Sequence, residues 1–310
     1  MRLRSAVEAW NQFFFAPQSP VPVCLFRIFY GTLIVINLIL LHLDWQAWYG
    51  THAWTSLQTM HAMEPGVRLN LFRIMPQNDA WIEAFFWVFL AFAVLVAAGF
   101  LTRISTVILF VCLTSLDQRN LYMTHGGDTF LRVAGFFLMF APAGAALSID
   151  RLLRVRRGKE GRQIQPKPPW AQRMIQIELA LLYFMSFWGK SLGQPWVNGT
   201  ALYYVMHLNE LQRFPVPQWM IQPILLKLGT WFALAIEFAL GTLIWFRELR
   251  YPLLLLGLLF HLTLEYSLNT PMFQWDVLSA YILFVYPEDL ARVGSRAAER
   301  ARSLLHFQPV

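Results

Sequence analysis

The stretch from Val23 to Leu43 reads VCLFRIFYGTLIVINLILLHL, and it decides the fold class. A run of this length crosses the roughly 30 Å hydrocarbon layer of a bilayer as a helix. Arg27 is its only residue with a full charge when histidine is neutral. A helix closes its own backbone hydrogen bonds, so such a run can present its side chains to lipid. Strict polar–apolar alternation is absent, which argues against an outer-membrane barrel.

Working outward, the same pattern recurs at Ala80–Leu101, Ile104–Leu116, Thr129–Leu147, Met174–Trp188, Ile224–Phe246, Pro252–Leu268 and Met272–Tyr286. The segments at Ile104, Met174 and Met272 are short for a straight crossing. The composition agrees: 57% of the 310 residues are hydrophobic and 14% are charged, against about 25% charged in a soluble domain. Many of the 13 tryptophans stand at the ends of apolar runs, where indole rings suit the headgroup zone. Cys24 and Cys112 both lie inside apolar runs and read as small hydrophobes, not as a disulfide. The first apolar run follows Pro17, Pro20 and Pro22 and lacks a small-residue cleavage site, so it does not read as a cleaved signal peptide.

The net charge of +7 raises the question of nucleic acid, but the 25 basic residues cluster between spans. With a cytoplasmic N-terminus and every segment crossing, most fall on the cytoplasmic side. They are Arg2, Arg4, Arg103, the cluster from Arg151 to Arg173, Arg247, Arg250 and the tail from Arg292 to Arg302. The other face holds Arg68, Arg73, Arg119, Lys190 and Arg213. This asymmetry follows the positive-inside rule. It predicts both termini in the cytoplasm of a multi-pass protein, a lipid bilayer as the partner, and no nucleic acid. The expected fold is all-α, a polytopic transmembrane helical bundle of about eight spans with amphipathic outer loops. The outer loops are Asp44–Asp79 and Lys190–Pro223, the second with a short amphipathic helix over Ala201–Leu211. Arg156–Pro169 is basic and proline-rich and reads as a flexible linker.

Polar groups inside apolar spans are costly and mark candidate sites. Arg27 begins the first span. Asp128 and Arg132 open the fourth, four residues apart on one helix face. Glu178 lies in the fifth, with Lys190 just beyond it, and Glu237 lies in the sixth. His261 and Glu265 share a face of the seventh, and Asp276 lies in the eighth. Each has a bland alternative. Arg27 can snorkel to headgroups. Asp128–Arg132 and His261–Glu265 can be structural pairs, and Asn198 or Thr200 can cap a helix. Two groups at i, i+4 are too few for a metal site, so no metal is expected. The spread of acids and bases over several spans predicts a polar cavity within the bundle. A lysine where a span meets an aromatic loop is a candidate base.

At these residues the chain resembles the HTTM family, the membrane domain shared with vitamin K-dependent gamma-carboxylase. The likeness runs through Leu25-Phe26-Arg27-Ile28, Tyr49-Gly50, His125-Gly126-Gly127-Asp128-Thr129 with Arg132, and Ser148-Ile149-Asp150-Arg151. It continues through Leu182-Tyr183, Gly189-Lys190, Trp196, Gly199-Thr200-Ala201-Leu202-Tyr203, His261, Met272-Phe273 and Leu283-Phe284. The resemblance implies one HTTM-type domain over residues 1–310, in a bacterial inner membrane. It implies a cavity for a quinol such as vitamin K hydroquinone, with Lys190 and His261 as catalytic candidates. Arg27, Asp128, Arg132, Trp196, Glu237 and Asp276 are the candidate ligand-binding residues, and Lys190, His261 and Asp128 are expected around one cavity near the outer leaflet. The animal enzymes carry two lysines before the matching tryptophan and use the second as base. Counted back from Trp196, the first falls on Lys190 and the second on Ser191. The rival readings are a non-enzymatic maturation or export factor for a secreted peptide or protein, and a transporter. The latter is disfavoured by the lack of a visible repeat.

Overall fold

A computed structural model describes residues 2–63 and 69–305. Arg68 and Val310 lie outside the described residues, as do the side chains of Arg2, Arg4 and Arg302. Within them the chain is helical, with isolated bridges at Gln18–Lys167 and Gln212–Leu268.

Helix α1 (Arg2–Phe15) is amphipathic and precedes α2 (Val21–His42), which has Pro22 in its first turn, where a missing amide costs nothing. Short helices α3 (Trp45–Tyr49) and α4 (Leu57–Met63) follow. Asn78 caps α5 (Asp79–Ala98) by accepting from the Trp81 amide. Gly99, at φ 68°, ends α5 in the left-handed region that favours glycine, and α6 (Thr102–Arg119) runs back. Then come α7 (Gly126–Phe140) and α8 (Ile149–Arg156), the latter capped by Ser148. Helix α9 (Trp170–Ser191) leads into short α10 (Gln194–Val197) and α11 (Ala201–Met206). The chain ends with α12 (Pro223–Thr242), α13 (Arg247–Ser267), α14 (Phe273–Ser279), a 3-10 turn over Ala280–Phe284, and amphipathic α15 (Pro287–Leu305).

Among the described residues, three helices are long and apolar enough to cross a membrane: Val21–His42, Asp79–Ala98 and Pro223–Trp245. They expose large apolar side chains such as Ile39, Leu40, Val88 and Phe232, as a lipid-facing surface requires. Small residues set the helix approach, because lipid supplies no hydrophobic drive between helices. A Cβ on Gly31 of α2 would sit 2.6 Å from the Ala97 amide nitrogen of α5. At the centre stands α14 with its 3-10 extension, in contact with α2, α7, α9 and α13. Its Gln274, Asp276, Val277, Leu283 and Phe284 are buried.

Several boundaries differ from the sequence reading. The segment at Ile104 extends to α6, and the one at Met174 extends to α9, because the polar residues at their ends continue the helix. The segment from Thr129 stops at Phe140, and the chain turns at Pro142, which cannot extend the helix. The last segment contains only α14 and the 3-10 turn. Within Ala201–Leu211 the α-helix ends at Met206, and a 3-10 turn covers Asn209–Leu211. The stretch Arg156–Pro169 is pinned at its middle and near its end. Gln18 and Lys167 exchange backbone hydrogen bonds of 2.9 and 2.8 Å, and Arg151 donates to the Arg162 carbonyl at 2.8 Å.

Candidate functional site

Tyr183, Ser186 and Lys190 follow the helical spacing i, i+3, i+7, so they line one face of α9. That face meets Glu237 of α12. Lys190 forms an ion pair with Glu237. Its Nζ also lies 3.0 Å from Ser186 Oγ, which donates to Glu237 Oε1 at 3.2 Å. Trp196 of α10 covers the pair, with the Lys190 ammonium 5.1 Å from its ring centroid, a cation–π contact. The Glu237 side chain is 6% exposed and that of Lys190 29%, so the pair is reached from the lysine side.

One turn deeper, Tyr183 begins a hydrogen-bonded chain across three elements. Its hydroxyl lies 2.6 Å from His261 Nε2 and 2.6 Å from the Tyr281 hydroxyl. His261 Nδ1 meets Gln274 Oε1 at 2.5 Å, while Gln274 Nε2 donates to Thr270. A side-chain carbonyl only accepts, so Nδ1 carries the hydrogen. In a neutral imidazole Nε2 must then accept from Tyr183, and Tyr183 in turn accepts from Tyr281. With the imidazole neutral, the protons then run in order from Tyr281 through Tyr183 to His261. An apolar cleft of about 540 Å³ adjoins this chain, with Phe29, Leu33, Leu258, Trp275 and Tyr281 in its wall.

A second polar group stands at the start of α7. Arg132 pairs with Asp117 of α6 at 3.1 Å. Asp128 accepts from the His125 amide at 2.8 Å, and His125 Nδ1 accepts from the Gly127 amide at 3.0 Å, which makes a reciprocal cap. The Asp276 carboxylate packs on Gly127, where an added Cβ would lie 2.8 Å from Oδ2. Among the described residues, Tyr30 Oη, Glu178 Oε2, Glu237 Oε2 and Asp276 Oδ1 are buried without a hydrogen-bond partner. Buried polar atoms rarely stay so.

The structure brings Lys190, Glu237, Trp196 and His261 into adjoining layers. Asp128, Arg132 and Asp276 stand in the neighbouring group. Arg27 stands apart at the opposite end of the bundle. It does not snorkel: it is fully buried and donates to the carbonyls of Ala143 at 2.9 Å, Leu147 at 2.5 Å and Ala97 at 3.4 Å. Neither i, i+4 pair forms, because each member finds a different partner. Arg132 takes Asp117, Asp128 caps its own helix, and His261 takes Tyr183 and Gln274. Glu265 pairs with Arg213 and accepts from Trp275 at 3.1 Å. Thr200 makes no side-chain cap and instead donates to the Pro195 carbonyl at 3.4 Å. Tyr183, Gln274 and Tyr281 escaped sequence reading as site residues because they are uncharged. Asp117 was hidden one residue past an apolar run. No group of three or more potential metal ligands occurs among the described residues.

A family model described as HTTM domain matches residues 15–288. The chain is also similar to the uncharacterized protein YitO of Bacillus subtilis (strain 168), at 26% identity over 227 residues, 71% of this chain and 72% of that protein. No solved structure matches it.

Proposed function

The chain belongs to the HTTM domain family, and from that premise we propose a carboxylase-related, multi-pass membrane protein that receives a quinone or similar lipid-like ring in its central polar layer. The observation that carries this reading is the set of unpartnered buried oxygens, Glu237 Oε2 among them. Glu237 stands near Tyr183 of the hydroxyl–imidazole chain, whose far end, Tyr281, lines an apolar cleft of about 540 Å³. A quinol ring presents hydroxyl groups that such oxygens accept, and its tail suits apolar walls such as Phe29, Leu33 and Leu258. When bound, a quinol supplies reducing electrons and a hydroxyl proton. Glu237 and Asp276 would hold the ring hydroxyls, Lys190 would fix Glu237, and Trp196 would limit water. A proton would be held at His261 Nε2 through Tyr183. Ser191 takes no part, since its hydroxyl is committed to the Trp188 carbonyl at 2.8 Å.

In this reading the chain crosses a bacterial inner membrane about eight times, with both termini cytoplasmic. The crossings are α2, α5, α6, α7, α9, α12, α13 and the α14 segment. The last is shorter than the hydrocarbon layer and relies on surrounding helices for cover. A secreted peptide or protein as client is the second reading. It is favoured by the exposed aromatic side chains Tyr203, Tyr204, Phe214 and Trp219.

The test is to purify the protein in detergent, extract it for bound quinones, and titrate it with a short-chain menaquinone while tryptophan fluorescence is followed. Saturable quenching that weakens in Glu237→Gln and in Tyr183→Phe supports the site. Quenching that is unsaturable, or as strong in both variants as in the wild type, overturns it.

A further inference from the structure

At the Arg27 end of the bundle lies a larger cavity, about 1010 Å³, distinct from the polar layer. It opens between the start of α6, the end of α7, the start of α9 and the pinned stretch before α9. One wall is apolar: Ile104, Val107, Phe140 and Trp170 line it. Ile104 and Phe140 are more than half exposed, and the Phe140 and Trp170 rings stand 5.9 Å apart. The other wall is charged, with Arg103, Arg154, Lys167, Asp150 and Glu160.

The acids there are already committed. Asp150 accepts from the amides of Leu101 and Thr102, each at 2.8 Å, and from the Thr102 hydroxyl at 2.7 Å. Glu160 pairs with Arg151 and with Arg154, whose Nε is 2.6 Å away. Among the described residues the side chains of Arg103 and Lys167, by contrast, make no hydrogen bond, and Lys167 only adds to the positive field on Glu160 that Arg154 and Arg151 already supply. Two cations without a hydrogen-bonded partner therefore face a cavity whose other wall is shaped for hydrocarbon. Charge complementarity selects an occupant that is anionic at one end and apolar at the other. A zwitterionic lipid meets the same wall without net attraction, and a free anion leaves the apolar wall unused.

We propose that this cavity binds one anionic glycerophospholipid, its phosphate between Arg103 and Lys167 and an acyl chain along Ile104, Val107 and Phe140. Basic recesses between transmembrane helices are suited to such head groups. The Gln18–Lys167 backbone bridge holds Lys167 at the rim, so the site is preorganised by the chain before α2 as well as by the helices around it.

The test is native mass spectrometry of the whole protein released from micelles containing equal phosphatidylglycerol and phosphatidylcholine. The expected result is one retained phosphatidylglycerol, reduced about tenfold or more in Arg103→Gln/Lys167→Gln, the scale expected for two cations facing an anionic head group. Arg296→Gln on α15 is the control and should retain the lipid. Val107→Trp, which fills the apolar wall and keeps both cations, should also release it. Equal retention of the two lipids, equal loss in the control, or unchanged retention in the double variant overturns the proposal. Displacement of the lipid by millimolar inorganic phosphate with Val107→Trp unaffected would mean a simple anion site, and also overturns it.

Discussion

Tyr183 and His261 meet at 2.6 Å in the centre of the bundle, and the same hydroxyl lies 2.6 Å from Tyr281. One oxygen thus holds α9, α13 and the segment after α14 together. Tyr183→Phe removes that oxygen and leaves His261 Nε2 and the Tyr281 hydroxyl each short of a partner. Leaving buried polar groups unsatisfied costs about 1–3 kcal/mol. The expected outcome is a lower melting temperature in detergent, with an unchanged helical circular dichroism spectrum at low temperature. A melting temperature equal to the wild type would show that the hydroxyl does not join the elements.

The Lys190–Glu237 pair should behave as a unit. Lys190→Met alone leaves the Glu237 carboxylate buried, a loss on the order of 3 kcal/mol for a broken buried pair. The partial exposure of Lys190 places the effect at the low end. Glu237→Gln added to Lys190→Met should recover most of it, since no lone charge then remains. Chemical denaturation of the two single variants and the double closes the cycle. Additive losses would mean that the pair is not coupled.

Acid should loosen the Arg27 end. Burial draws the Asp150 carboxyl upward, but the Thr102 amide and hydroxyl, the Leu101 amide and nearby Arg154 outweigh it and hold the group below the usual carboxylate range. A carboxylate depressed in the folded state stabilises the fold above its unfolded value, about 3.9, and loses that contribution as pH falls through the folded value. Glu160, held low chiefly by its hydrogen bond from Arg154, titrates in the same direction. Asp150→Asn should therefore melt lower than wild type at neutral pH. The difference should shrink as pH falls below about 4. A constant gap across that range would remove Asp150 as the titrating group.

Peptide carboxylation of the animal type is not expected. A serine hydroxyl is a poor base without an activating neighbour, Ser191 is committed to a backbone carbonyl, and Lys190 is held by Glu237. Purified protein given reduced vitamin K, labelled bicarbonate and a glutamate peptide should incorporate no label. Incorporation that Lys190→Ala abolishes would make Lys190 the base and reverse this expectation.

Reporter fusions test the orientation. A phosphatase that works only outside the cytoplasm should be silent when joined after Gly161 or after Val310. A signal at either position defeats the arrangement with both termini inside.

The helical membrane character was legible because length and apolarity of runs such as Val23–Leu43 are local properties. The pairings were not. Spacing places Asp128 beside Arg132 and His261 beside Glu265 on their own helices. It carries no information about Asp117, Tyr183, Gln274 or Arg213 arriving from elsewhere. Arg27 was legible as an oddity in its span, but its solution, three backbone carbonyls at the ends of α5 and the loop after α7, exists only once those ends converge. Helices α1 and α15 were overlooked because amphipathic segments lack the continuous apolar signal that marked the others. The N-terminal segment joins the fold through Arg173, whose guanidinium donates to the Phe13 carbonyl at 3.2 Å and lies 4.8 Å from the Phe13 ring.

The short central segment of α14 has a consequence for assembly. It carries Gln274 and Asp276 on a helix of 7 residues, and polar side chains of this kind are costly to expose to hydrocarbon. Such a segment does not partition into lipid on its own. In the eight-span reading it would enter a bundle whose other helices are already in place, and the C-terminal part of the chain would close the fold. A chain ending at Ser267 would still insert its earlier helices but would lack its central pillar. It should be recovered from membranes and cleaved by protease far faster than the full chain.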